Sequence, residues 1–115
     1  MASSDQQLRA LLAADRAATA NRVAALSQDI EAIVEAARLV ATDDEHDPEG
    51  STIAFERSQT TAFLADARKH LDDLDSALGR IDAGDYGRCE RCGQPIAPER
   101  LLARPAARTC ITCAS

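Results

Sequence analysis

Residues 23–40, VAALSQDIEAIVEAARLV, place apolar side chains at Val23, Leu26, Ile30, Ile33, Ala37 and Val40, so the gaps alternate between three and four. Such steps return to one side of a helix wound at about 3.6 residues per turn, which predicts a narrow coiled-coil seam. Residues 64–81, LADARKHLDDLDSALGRI, repeat the pattern with Leu64, Ala67, Leu71, Leu74, Leu78 and Ile81. Extended outward, the first seam takes in Leu12, Arg16 and Thr19 and the second takes in Ile53, Arg57 and Thr60, so the outer parts are less apolar.

Two helices that fold back on each other pair positions whose numbers have a nearly constant sum. Val40 with Ile53, Ala37 with Arg57, Ile33 with Thr60, Ile30 with Leu64, Leu26 with Ala67, Val23 with Leu71 and Leu12 with Ile81 all give 93 or 94. One register therefore aligns both seams and puts the reversal at His46 and Asp47, inside ATDDEHDPEGST, which carries the Asp, Pro and Gly of a helix break. The expected architecture is all-α: an antiparallel two-helix coiled-coil hairpin over residues 1–84, a rod with its tip at 42–50, followed by a small module at 85–115. From Leu12 to Val40 the first helix would run about 40 Å. Ser4 and Gln7 fit a capping box, Asp47 or Ser51 could cap the second helix, and Gly84 suits its left-handed C-terminal residue. Phe55 and Phe63 lie near the second seam and read as packing residues, and Arg57 as a seam charge that extends its head to solvent. An intermolecular coiled coil is the rival reading; the shared register and the turn residues favour a hairpin within one chain, hence a monomer.

Composition agrees. The 115-residue chain is 45% apolar, yet it has no Trp, one Tyr and two Phe, and much of the apolar fraction is alanine and leucine. That suits long thin helices rather than a thick core. The amino terminus carries charges throughout and lacks the apolar run of a signal peptide, and no window approaches a membrane span, so a cytoplasmic protein is expected. The formal charge of −6 is uneven: residues 86–115 have five Arg against Glu90 and Glu99, and residues 1–85 have 8 basic and 17 acidic side chains. An acidic chain of this kind is a poor candidate for unaided DNA binding, whose affinity comes from cations that displace counterions from phosphates.

All four cysteines lie in CERCGQPIAPERLLARPAARTC and the three residues after it, as two C-x-x-C pairs, Cys89 with Cys92 and Cys110 with Cys113, joined by a 17-residue spacer. In a reducing compartment a disulfide framework is disfavoured, and this spacing lets two knuckles set four thiolates tetrahedrally around one Zn²⁺. Gly93 follows the first pair, where the knuckle needs positive φ. Arg88, Arg91 and Arg108 lie beside the ligands and would offset the −2 charge of such a centre. A full shell of four cysteines leaves no open position for water or substrate, so the site is expected to be structural, with no catalytic residues. Tyr86, Ile96, Leu101, Leu102 and Ile111 are too few to hold the module unaided. A redox pair or an iron site fits less well, and loss of metal on thiol oxidation stays open as an added property.

TDDEHDPEG, residues 42–50, holds five carboxylates (Asp43, Asp44, Glu45, Asp47 and Glu49) and no Lys or Arg. Capping and the helix dipole account for two or three. The full set could carry negative charge into a recessed, basic or metal-containing target. His46 reads as an exposed turn histidine and His70 as a surface residue.

From Tyr86 to Cys113, YGRCERCGQPIAPERLLARPAARTCITC resembles the DksA/TraR-type zinc finger in Tyr86, Gly87, Cys89, Cys92, Gly93, Ile96, Arg100, Leu101, Ala103, Pro105, Ala107, Cys110 and Cys113. The resemblance extends more loosely over the coiled coil. It implies a transcription regulator that binds RNA polymerase directly instead of DNA, inserting its coiled coil through the secondary channel so that tip carboxylates act near the catalytic Mg²⁺. The family tip is D-x-x-D-x-A; Asp44 and Asp47 supply D-x-x-D, and Glu49 stands where alanine is expected. The sequence stops two residues after Cys113 and has no region before the coiled coil, which is more like the short TraR-like members, and it leaves the nucleotide ppGpp an open question as a cofactor. The alternatives are a zinc-stabilised coiled-coil adaptor with another partner, recognition of DNA by the arginine-bearing finger, and tip acids that recruit a second Mg²⁺ for transcript cleavage.

Overall fold

The computed structural model describes residues 2–41 and 48–114, with side chains over 5–39 and 52–114. Three helices follow in order: α1 (Ala2–Ala41), α2 (Pro48–Ala83) and a short α3 (Pro98–Ala103). The seam is where the spacing puts it. Among the described side chains at the predicted positions of α1 and α2, all but Arg16 and Arg57 are buried or half-buried. Those two keep exposed guanidinium heads, as expected of a long cation on a seam.

The helix ends match the expectations in part. α2 ends in a Schellman motif: Gly84 has φ 80°, its N–H donates to Ile81 O at 3.2 Å, and Asp85 N–H donates to Arg80 O at 2.8 Å. Only glycine enters that left-handed conformation without steric cost. The expected capping position does not coincide with the helix start: α1 already begins at Ala2, and Ser4 lies inside its first turn, with its side chain outside the described ones. Ser51 likewise falls inside α2, whose first residue, Pro48, has the fixed φ that suits a helix start. Asp47 and the expected reversal lie outside the described residues.

The chain divides into two compact units, residues 1–18 with 70–115, and residues 19–69. In the first, Leu12, Leu74 and Ala77 form a buried cluster against which Leu8, Leu78, Ile81, Tyr86 and Ala106 pack. Arg9 donates twice to the Asp82 carboxylate, each bond 3.0 Å. One heptad further along, Arg16 pairs with Asp75. The steps run in opposite directions along the two helices, so the pairing is antiparallel. His70 Nε2 lies 2.9 Å from Asp15 Oδ2 and adds a third link between the helices.

In the second unit Leu64, Ala67 and Thr19 are buried, and Val23, Leu26, Ile30, Ile33, Ala37, Ile53 and Thr60 are half-buried. Two packed helices without a third layer cannot close over their seam, which leaves most of it partly open. Phe55 and Phe63 do not pack as expected: Ile53, Thr60 and Leu64 hold the seam, and the rings stand 67% and 43% exposed.

Candidate metal centre

The finger begins where the Schellman turn releases the chain. Gly87 (φ 88°) and Gly93 (φ 77°) bracket a tight hairpin, fastened by the isolated bridge between Arg88 and Pro95. Cys89 N–H donates to Gln94 O at 2.8 Å, Gly93 N–H to Cys89 O at 2.9 Å, and Ile96 N–H to Gly87 O at 2.7 Å. The second knuckle is a turn in which Cys113 N–H donates to Cys110 O at 3.1 Å. Glu90 N–H reaches across to Arg108 O at 2.9 Å, so the two turns are held face to face.

Arginines brace this frame from outside. Arg91 donates to Cys113 O at 3.1 Å, and Arg100, on α3, donates to Thr109 O at 2.9 Å. Tyr86 donates to Pro105 O at 2.8 Å, and burial pushes its phenol above the usual range, with Arg80 opposing. Arg80 reaches Ala107 O at 3.3 Å. Arg108 does not serve the sulfurs as expected: it pairs with Asp73 at 2.9 Å and donates to Asp72 O at 3.0 Å, fastening the finger to α2. Leu102 and Ile111 stay exposed, leaving Ile96 as the one buried aliphatic residue of the module. The apolar contribution is smaller still than the composition promised.

The sulfurs of Cys89, Cys92, Cys110 and Cys113 all lie within 4.8 Å of one another. Cys92 Sγ and Cys110 Sγ are 3.8 Å apart. Four sulfurs about 2.3 Å from a common zinc have tetrahedral edges of about 3.8 Å, so the donor set fits the ion. Backbone N–H groups of Cys110, Cys92 and Arg91 act on the Cys89 sulfur and bring its thiol down to about 6. The N–H of Cys113 likewise lowers Cys110. The Cys110 sulfur, which accepts a hydrogen bond from the Cys113 thiol, pushes Cys113 up to about 12. Cys92 is also raised: the Gln94 N–H favours its thiolate but is outweighed by Cys89, burial and Cys110 together. The four sulfurs thus differ in how readily they give up their protons, and a divalent cation that binds them all takes them as thiolates and releases protons.

Of the predicted tip carboxylates, Asp43, Asp44, Glu45 and Asp47 lie outside the described residues, and Glu49 lies in α2 with its side chain outside them. Among the described residues the four cysteines are the one group of three or more such donors placed to share an ion, and no helix is long and apolar enough to cross a membrane.

Residues 84–115 match the family model of the prokaryotic dksA/traR C4-type zinc finger. The module is a zinc finger of that type, and its metal is one structural zinc. Over 66 residues the chain is 39% identical to the uncharacterized protein YteA of Bacillus subtilis, covering 57% of this chain and 28% of that one. Over 46 residues it is 41% identical to the RNA polymerase-binding transcription factor DksA of Escherichia coli, covering 40% and 30%. These matches span under a third of the relatives' own length. The structure of the transcription factor DksA2 from Pseudomonas aeruginosa is similar over 96% of this chain and 79% of that one, with a TM-score of 0.72 and 27% identity.

Proposed function

We propose that this protein is a non-catalytic transcription regulator that binds RNA polymerase directly and places its two-helix hairpin in the enzyme's secondary channel. In this reading residues 1–84 are the hairpin and 85–115 the finger, with Cys89, Cys92, Cys110 and Cys113 as the zinc ligands. The carboxylates at Asp43, Asp44, Glu45, Asp47 and Glu49 act near the active centre, Asp44 and Asp47 foremost, and change the lifetime of promoter open complexes. The protein works as a cytoplasmic monomer.

The observation that carries this reading is the likeness to a DksA2 structure across nearly the whole chain, together with the finger match. Charge supports it: the unit spanning 19–69 has five Lys and Arg against ten Asp and Glu, a formal −5, whereas the finger-bearing unit has eight against nine. An acidic hairpin is attracted to a basic protein channel and repelled by nucleic acid. DNA recognition by the finger is disfavoured on a separate count. Arg91, Arg100 and Arg108 are engaged by internal acceptors, leaving Arg88 and Arg104 as the finger arginines without an internal partner among the described residues. Two cations are few for a phosphate-binding face.

The test compares wild type with the Asp44→Ala/Asp47→Ala variant for binding to core polymerase and for open-complex lifetime. Wild type should bind and shift the lifetime, and the variant should bind but lose the shift. Absence of wild-type binding at low salt would overturn the reading.

A further inference from the structure

We infer that the flank of α2 carrying Phe55, Gln59 and Phe63 is a docking stripe for a basic, apolar-lined groove on the partner protein. Resting on the polymerase reading, the inference assigns that groove to the wall of the polymerase channel.

The chain has two phenylalanines and no tryptophan, and its one tyrosine is half-buried in the finger. Both phenylalanines lie in the acidic unit, on α2, and both are exposed. Their numbering follows i, i+4, i+8 through Gln59, which confines the three side chains to an arc of about 80° and spaces the rings about 12 Å along the helix axis. The seam on that helix is already filled by Ile53, Thr60, Leu64 and Ala67, so the rings are not displaced core residues. Glu56 and Asp66 are exposed on the same side of the helix, which edges the stripe with acid.

Rings that stand 67% and 43% exposed gain less from folding than buried ones would, and aromatic side chains are enriched at protein interfaces. The charge selects the occupant. With a formal −5 on the unit that carries the stripe, a second copy and a nucleic acid are both repelled, whereas a groove with cations at its rim and apolar walls complements rings edged by Glu56 and Asp66.

The experiment titrates zinc-loaded full-length protein against core RNA polymerase for wild type, Phe55→Ala and Phe55→Ala/Phe63→Ala, with thermal melting and solution mass measured on each. The double variant should melt within a few degrees of wild type and stay monomeric, and its Kd should rise by about tenfold or more, with Phe55→Ala alone accounting for a part of the loss. The inference is overturned if wild type binds and the double variant binds equally well. It is also overturned if the double variant loses its helical fold, which would make the rings packing residues, or if wild type is a dimer that the substitutions dissociate. No binding by wild type itself removes the polymerase reading and the stripe with it.

Discussion

The finger-bearing unit and the hairpin unit are built from the same two helices and held by different physics. Residues 19–69 rely on a repeated seam, most of it half-buried, and their one ion pair among the described residues, Arg38 with Glu35, lies within a single helix. Residues 1–18 with 70–115 add a fully buried cluster, two interhelical ion pairs, a histidine–carboxylate hydrogen bond between the helices, arginine bonds to carbonyl oxygens and four sulfurs placed for a metal. The difference teaches that a chain poor in large side chains can build a firm unit from directional bonds. It can leave another stretch as plain coiled coil, whose charges and rings face outward.

Breaking the metal site should separate the units most. Cys89→Ser replaces the most buried of the four ligands, and native mass spectrometry should fall from one zinc per chain to a small fraction, with a melting transition lost from the finger. Full zinc retention by this variant would remove the sulfur cluster from the account. Core truncations should come next. Leu74 is 1% exposed, so Leu74→Ala is expected to cost about 2–5 kcal/mol in urea unfolding, whereas Leu26→Ala on the half-open seam should cost about 1–2 kcal/mol. Equal costs would mean that the seam is closed more tightly than its exposure indicates.

Much of this contrast is legible in the sequence. The three-and-four spacing gives the hairpin because a two-helix seam is a purely local, repeating signal, and the C-x-x-C pairs give the metal because their separation is itself the constraint. The flank of α2 that meets the finger, where half-buried Asp73 and Arg80 reach Arg108 and the Ala107 carbonyl, leaves no such trace. It arises from contacts between residues far apart in the chain, and an arginine beside a cysteine gives no sign of whether it serves the sulfur or reaches a distant helix. Arg108 does the latter. Phe55 and Phe63 deceive for a related reason: an aromatic off the seam, two residues from Ile53 and Arg57 or one from Leu64, is packed in a thick bundle and exposed in a two-helix one.

Arg108→Ala tests the fastening directly and should cost about 1–2 kcal/mol, since it removes an ion pair together with a bond to a helix carbonyl. The zinc content should not change. The smallest effect is expected at Asp82. The Arg9 guanidinium holds its carboxyl below the usual range, so its folded value is depressed relative to the unfolded chain. Its contribution is therefore present above the unfolded value and fades as pH falls through the folded one. Urea midpoints of wild type and Asp82→Asn should differ slightly near neutral pH and converge in acid. Divergence in acid would reverse the assigned sign.

The most direct measurement is hydrogen exchange along the full chain with zinc bound and after its removal by a chelator. Removal should strip protection from residues 84–113, while amides of 19–39 and 52–69 keep most of theirs. Unchanged protection in the finger, or an equal loss in both units, would contradict a metal-held unit beside a seam-held hairpin.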